Sequence, residues 1–217
     1  MLPKYFSSAL FKPGLEWLLG LAAVVSLLVI LVPKEKLSKT FEIDPKKFNG
    51  QIFDDRYSGG NTTVAWVDAT TKHWHCKLGQ KYATPYCSLR LALMDSKGNG
   101  LDLSGAVSIT IWATYRGEGS HLRIYLRNQG AEYFIPGDDL SAKYNMVEVP
   151  VNDLKSGLTI NMKDFNVADW WVASRQIPLK YTSPEFNNLS DMEIQTGSAT
   201  ITGEHDIELH RISYNKP

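Results

Sequence analysis

The residues able to do chemistry gather in a few short stretches. In His73-Trp74-His75-Cys76 two imidazoles lie two residues apart, so a strand would place both on one face, the arrangement of a metal-binding pair. No further His or Cys falls at structural-zinc spacing, and Cys87 is a nearer partner for Cys76. In His121-Leu122-Arg123-Ile124-Tyr125-Leu126-Arg127, strand alternation puts Leu122, Ile124 and Leu126 on one face and Arg123, Tyr125 and Arg127 on the other. The apolar face belongs to a core. The polar face is either solvated surface or the floor of a groove, where two guanidiniums around a phenol can meet hydroxyls or carboxylates. Adjacent Trp170 and Trp171 cannot both point inward from a strand, so one belongs to the core and the other offers an indole for stacking. Arg175 follows closely enough to pair with Asp169 or with a ligand. There is no Gly-x-Ser-x-Gly, no phosphate-cradling loop with Lys and no zinc-protease helix motif, and nothing sets two carboxylates across a cleft. The chemistry on offer is recognition; no catalytic role is expected of this chain.

Such residues need a scaffold, and the spacing of turn signals predicts one made of strands. From Gly50 onward short alternating runs are punctuated by Gly, Pro, Asn and Asp. Expected strands cover 63–67, 88–94, 107–115, 121–128, 131–135, 145–151, 158–161, 191–195 and 205–214, and no segment there keeps a helical period over three turns. The runs at 107–115 and 121–128, separated by Arg116-Gly117-Glu118-Gly119-Ser120, are expected to pair as an antiparallel hairpin. The fold class is therefore all-β, with a two-sheet jelly roll preferred.

Ahead of the strands, Leu15 to Val32 is apolar except for Glu16 and Ser26. As a helix it would span about 27 Å, close to a bilayer core, and it ends without an Ala-x-Ala cleavage site. The expected organisation is a head at 1–14, a transmembrane signal-anchor helix at 15–32, a charged juxtamembrane spacer at 33–47 and an extracytoplasmic domain at 48–217. Lys4 and Lys12 precede the run while Lys34, Lys36 and Lys39 follow it, so the positive-inside rule does not orient the chain. Orientation rests on the cysteines. Cys76 and Cys87 are either two buried thiols or a disulfide closing a small loop, and a disulfide requires an oxidising compartment. The expectation is a single-pass protein of the inner (plasma) membrane with its N-terminus cytoplasmic and its domain periplasmic or extracellular. The 217 residues carry 23 basic and 23 acidic side chains, a balance that argues against non-specific nucleic-acid binding.

The stretch FDDRYSGGNTT at 53–63 resembles the Asp-rich, Gly-Gly-containing first motif of the complex I intermediate-associated assembly-factor family, to which galactose-binding-like carbohydrate-binding modules are related. LRIYLRNQ, DFNVADWW, and MEIQTG followed by GEHDIELHRI, with the Cys76–Cys87 segment, look like a bacterial subgroup carried outside the membrane in sensor proteins. The cytoplasmic output of those sensors is often a GGDEF diguanylate cyclase or a histidine kinase. The resemblance, over roughly 48–214, implies a galactose-binding-like jelly roll with a ligand groove, for which strand parity and the resemblance together nominate Trp112, Arg123, Tyr125, Arg127, Trp170, Arg175 and Glu193. It also implies a structural calcium, for which Asp54, Asp55, Glu204 and Asp206 supply hard oxygen ligands; Asp54 and Asp55 equally suit the turn before Gly59-Gly60.

The first expectation for function is a membrane-anchored extracytoplasmic sensory module. Its ligand in the groove would be a small molecule, a glycan or a periplasmic protein, and a homodimer is compatible with that role. Because no output segment precedes Pro217, either the chain is a fragment of a longer sensor or it acts as an anchored binding domain. The alternatives are a membrane-tethered assembly factor holding a protein partner and a carbohydrate-binding module.

Overall fold

A computed structural model of the protein describes residues 38–196 and 202–217, and its folded unit runs from Ser38 to Pro217. In chain order the strands are β1 (Lys39–Ile43), β2 (Gly50–Asp54), β3 (Thr63–Asp68), β4 (His73–Leu78), β5 (Cys87–Ala92) and β6 (Ser108–Arg116). They continue as β7 (His121–Asn128), β8 (Lys143–Pro150), β9 (Leu158–Asn161), β10 (Asn166–Val167), β11 (Leu189–Thr196) and β12 (Gly203–Lys216), with a short helix α1 (Asp169–Ser174) between β10 and β11.

The strands form two six-stranded antiparallel sheets. One has the order β3-β4-β12-β6-β9, with β1 paired to the C-terminal half of β12; the other has the order β10-β8-β7-β11-β5-β2. Facing side chains such as Trp74, Leu89, Ile111, Ile124 and Ile207 are buried between the sheets. Each such aliphatic residue contributes roughly 1.5–3 kcal/mol through removal from water. Leu122, Ile124 and Leu126 join this core as their alternation demands. The architecture is the all-β sandwich expected.

Four local expectations are corrected. The runs now named β6 and β7 do not pair: β6 lies between β12 and β9, and β7 between β11 and β8, so the Gly-rich link crosses from one sheet to the other. Both edges of each strand are filled by distant partners, which a local turn signal does not reveal. Residues 131–135 form a turn, in which the Tyr133 and Phe134 amides both donate to the Gly130 carbonyl at 3.2 and 2.9 Å. Part of the supposed spacer is integral to the domain, because β1 pairs with β12 from Lys39↔Lys216 to Ile43↔Ile212. Finally, the double tryptophan sits on helix α1, where successive side chains diverge by about 100° and so still separate Trp170 from Trp171.

Cys76 on β4 is bonded to Cys87 on β5, so the bond ties one sheet to the other; both residues are fully buried. Among the described residues no helix is long and apolar enough to cross a membrane, and the expected span at 15–32 lies outside them.

Candidate functional site

The face of the second sheet turned away from the core is hollowed into a cleft of about 710 Å³. Its floor crosses five strands, with Tyr144 from β8, Arg123 and Tyr125 from β7, Glu193 and Gln195 from β11, Arg90 from β5, and Gln51 and Phe53 from β2. At about 4.8 Å per strand the floor extends about 19 Å between the first and last axes, the length of a short oligomer rather than one small molecule.

Beneath the floor lies a network of charges. Arg90 contacts Glu193 at 2.9 Å through Nε and 2.8 Å through Nη2, and reaches Asp139 at 2.8 Å. Arg127, 1% exposed, donates to Asp191 at 3.2 Å, to Glu193 at 3.4 Å and to the Asp139 carboxylate at 2.9 Å. Its guanidinium also lies 4.7 Å from the centre of the Tyr144 ring. Three carboxylates thus share two guanidiniums. Burial raises the Asp191 and Glu193 carboxyls above the ordinary range, and the two arginines offset this only in part. Burial also acts to raise Asp139, but hydrogen bonding and charge from Arg127, with the charge of Arg90, bring it below that range. Each of the two guanidiniums is held by several carboxylates at once, which fixes Glu193 and Arg90 in set orientations toward the cleft.

The walls are built from loops pinned to this floor. On one side, the Trp171 indole is buried and donates to the Leu140 carbonyl at 3.0 Å, while Arg175 pairs with Asp138. These contacts lock α1 to the Asp139–Ser141 turn and leave Trp170, 44% exposed, and Leu140 facing the cleft. Trp170 packs edge-on to Tyr144 at 4.6 Å. On the other side, Asp54 caps the Asp55–Ser58 turn through the Arg56 amide, and buried Asp55 accepts from the Thr62 amide at 2.9 Å and its hydroxyl at 2.6 Å. Gly60 is required here, since a Cβ would stand 2.1 Å from the Asp55 carboxylate. The turn projects Tyr57 outward, 98% exposed. Beside it Tyr82, Thr84 and Tyr86 come from the loop that the Cys76–Cys87 bond closes.

Of the nominated residues, Arg123, Tyr125, Trp170 and Glu193 line the cleft together. Arg127 lies under the floor and Arg175 behind the wall, both as supports. Trp112 does not belong with them. It is on β6 of the other sheet, under Arg211 at 4.2 Å, because the residue parity that buries Ile111 and Ala113 turns Trp112 to the outer surface. The four carboxylates nominated for calcium do not converge either. Asp54 and Asp55 shape the turn after β2, whereas Glu204 and Asp206 on β12 meet His75 at 2.6 Å and His73 at 2.9 Å. Among the described residues no group of three or more His, Cys, Asp or Glu is arranged to hold a metal ion.

Sequence reasoning missed Arg90, although alternation within SLRLAL marks it as pointing away from the core, and it missed Tyr144 and Phe53, whose neighbours in KYNMVEV and QIFD do not alternate cleanly in polarity. It also missed Tyr57, Tyr82, Tyr86 and Asp139, which lie on turns and loops where no periodicity exists to read.

These features define an all-β, two-sheet sandwich of the jelly-roll type with a cleft across the outer face of one sheet. No protein-family model matches the sequence, and no curated protein matches it either. Among solved structures, a family 11 carbohydrate-binding module from Clostridium thermocellum, in complex with a β-1,3-1,4-mixed-linked tetrasaccharide, is similar with a TM-score of 0.55 at 11% identity, covering 81% of this chain and 94% of that one. The family 11 module of a cellulosomal cellulase of Clostridium thermocellum is similar with a TM-score of 0.53 at 11% identity, covering 82% and 95%. At such identity the likeness establishes the fold.

Proposed function

We propose that this protein is a carbohydrate-binding module that holds a linear oligosaccharide segment in the cleft crossing β8 to β2. The observation that carries this reading is the placement of aromatic rings at both ends of a hydrogen-bonding floor: Trp170 and Tyr144 at one end, Tyr57, Tyr82 and Tyr86 at the other. Flat rings suit the apolar faces of pyranose rings, and Arg90, Arg123, Glu193, Gln195 and Gln51 between them suit the hydroxyl edges. The binding of a tetrasaccharide by a similarly folded module supports the same class of ligand.

The apolar run at 15–32 and the oxidised cysteine pair support a domain held outside the cytoplasmic membrane, where glycans are available. Input to a signalling protein would be a further use of such binding and rests on the sequence resemblance alone, as does the assembly-factor alternative. The chain's own role in this reading is to bind and position; no catalytic step is assigned to it.

The test is a screen of soluble polysaccharides with the full-length chain, read by calorimetry and thermal shift. One glycan class should bind, and Trp170→Ala should weaken it at least about tenfold, the loss of one stacking contact. Absence of binding to every glycan, or binding that ignores Trp170→Ala, would remove the proposal.

A further inference from the structure

Beyond Tyr57 the surface does not close. A second concavity of about 500 Å³ lies along the outer edge of β2, lined by Ile52, Arg56 and Val64, and Gln51, Phe53, Asp54 and Tyr57 line both it and the main cleft. Tyr57 therefore stands as a crest between two hollows rather than as the end of one. An aromatic side chain that is 98% exposed gains nothing from the protein's own packing.

The edge of β2 supplies the second hollow with hydrogen-bonding groups. The Ala92 amide donates to the Asn49 carbonyl, and the Asp55 amide donates to the Tyr86 carbonyl, so odd-numbered residues from 49 to 55 face β5. In an antiparallel ladder the alternate residues turn their backbone groups the other way. Among the described residues β2 is the outermost strand of its sheet, so the N–H and C=O of Ile52 point away from β5, on the edge along which the second hollow lies. Arg56 adds a positioned cation: its Nε donates to both oxygens of nearly buried Asp54 at 2.8 and 3.0 Å, while the side chain remains 62% exposed.

Resting on the glycan-binding reading above, we propose that the second hollow is a further subsite for the same chain. The ligand runs past Tyr57 over the β2 edge, its hydroxyls meeting Ile52 and Arg56, so the preferred ligand is a long linear polysaccharide rather than an oligomer that merely fills the main cleft. Continuity of the two hollows through their shared residues favours a continuing glycan over a separate protein strand docked on β2.

The experiment compares mixed-linkage β-glucan oligosaccharides of roughly four and roughly eight units, the shorter matched to the main floor, by calorimetry on the full-length chain. The longer should bind about tenfold more tightly. Arg56→Ala should bring the two affinities together. So should Ile52→Pro, which removes the outward N–H but no ladder bond and is tolerable on an edge strand; thermal unfolding confirms that each variant is folded. The Ile52 amide should also gain protection from hydrogen exchange with the longer chain only. Equal, measurable affinity for both lengths overturns the subsite and leaves the cleft reading standing. Absence of binding at either length, together with absence of binding to every glycan in the polysaccharide screen, overturns both; where the screen selects another glycan class, oligomers of that class at the same two lengths decide the comparison in the same way. A length effect that survives both folded variants overturns the assignment of the subsite to this edge.

Discussion

Glu193 carries more of the site's electrostatics than its exposure suggests. It faces the cleft yet is 3% exposed, bracketed by Arg90 and Arg127 and sharing them with Asp191 and Asp139. Burial holds its carboxyl above the ordinary range, so the folded state binds that proton more tightly than the unfolded chain does. The stabilisation this provides is complete below the unfolded value and is lost as pH rises through the folded one. Glu193→Gln cannot titrate. The melting temperature of the wild type relative to Glu193→Gln should therefore fall as pH rises out of the ordinary glutamate range, from about 4 upward, and parallel profiles would refute the account. Strand parity in MEIQT placed Glu193 on the right face, but its burial was not legible, because the arginines that cover it come from β5 and β7. Trp112 shows the converse. Strand parity and the resemblance nominated it for the groove, yet only the sheet assignment of β6 reveals that it faces away.

At the scale of elements, the decisive joint is the Cys76–Cys87 bond. It joins β4 of one sheet to β5 of the other and closes the loop bearing Tyr82, Thr84 and Tyr86. Replacing both cysteines with Ser frees that loop and restores the entropy of the unfolded chain, at a cost of roughly 3 kcal/mol. Because the loop is also a cleft wall, glycan affinity should fall in the same variant, even under conditions where it remains fully folded. Denaturant unfolding and calorimetry check the two effects separately, and a variant that loses stability but keeps wild-type affinity would show that the wall stands without the bond. The sequence made the pair visible as two nearby cysteines. It did not show that they lie on different sheets, since reading His73 to Cys76 as a strand does not say which sheet that strand joins. The failed hairpin between β6 and β7 has the same root: a short Gly-rich link is compatible with pairing and with an arch between sheets, and the choice belongs to β12 and β11, which are distant in sequence.

For the whole molecule, the expected topology is a glycan-binding sandwich tethered outside the membrane by residues 15–32. Protease added to intact cells should degrade the domain, and thiol labelling of protein taken directly from those cells should find Cys76 and Cys87 oxidised. A shielded domain with both thiols free would place it in the cytoplasm. Composition and periodicity by themselves determined the all-β class, the apolar N-terminal run and the inward face of β7, because each depends on local alternation or on a count of apolar residues. Which strand joins which sheet, which polar side chains are buried, and where turn residues such as Tyr57 and Asp139 converge were decided only by the tertiary structure. Those outcomes come from pairing between segments far apart in the chain, and local sequence pattern carries no information about the partner.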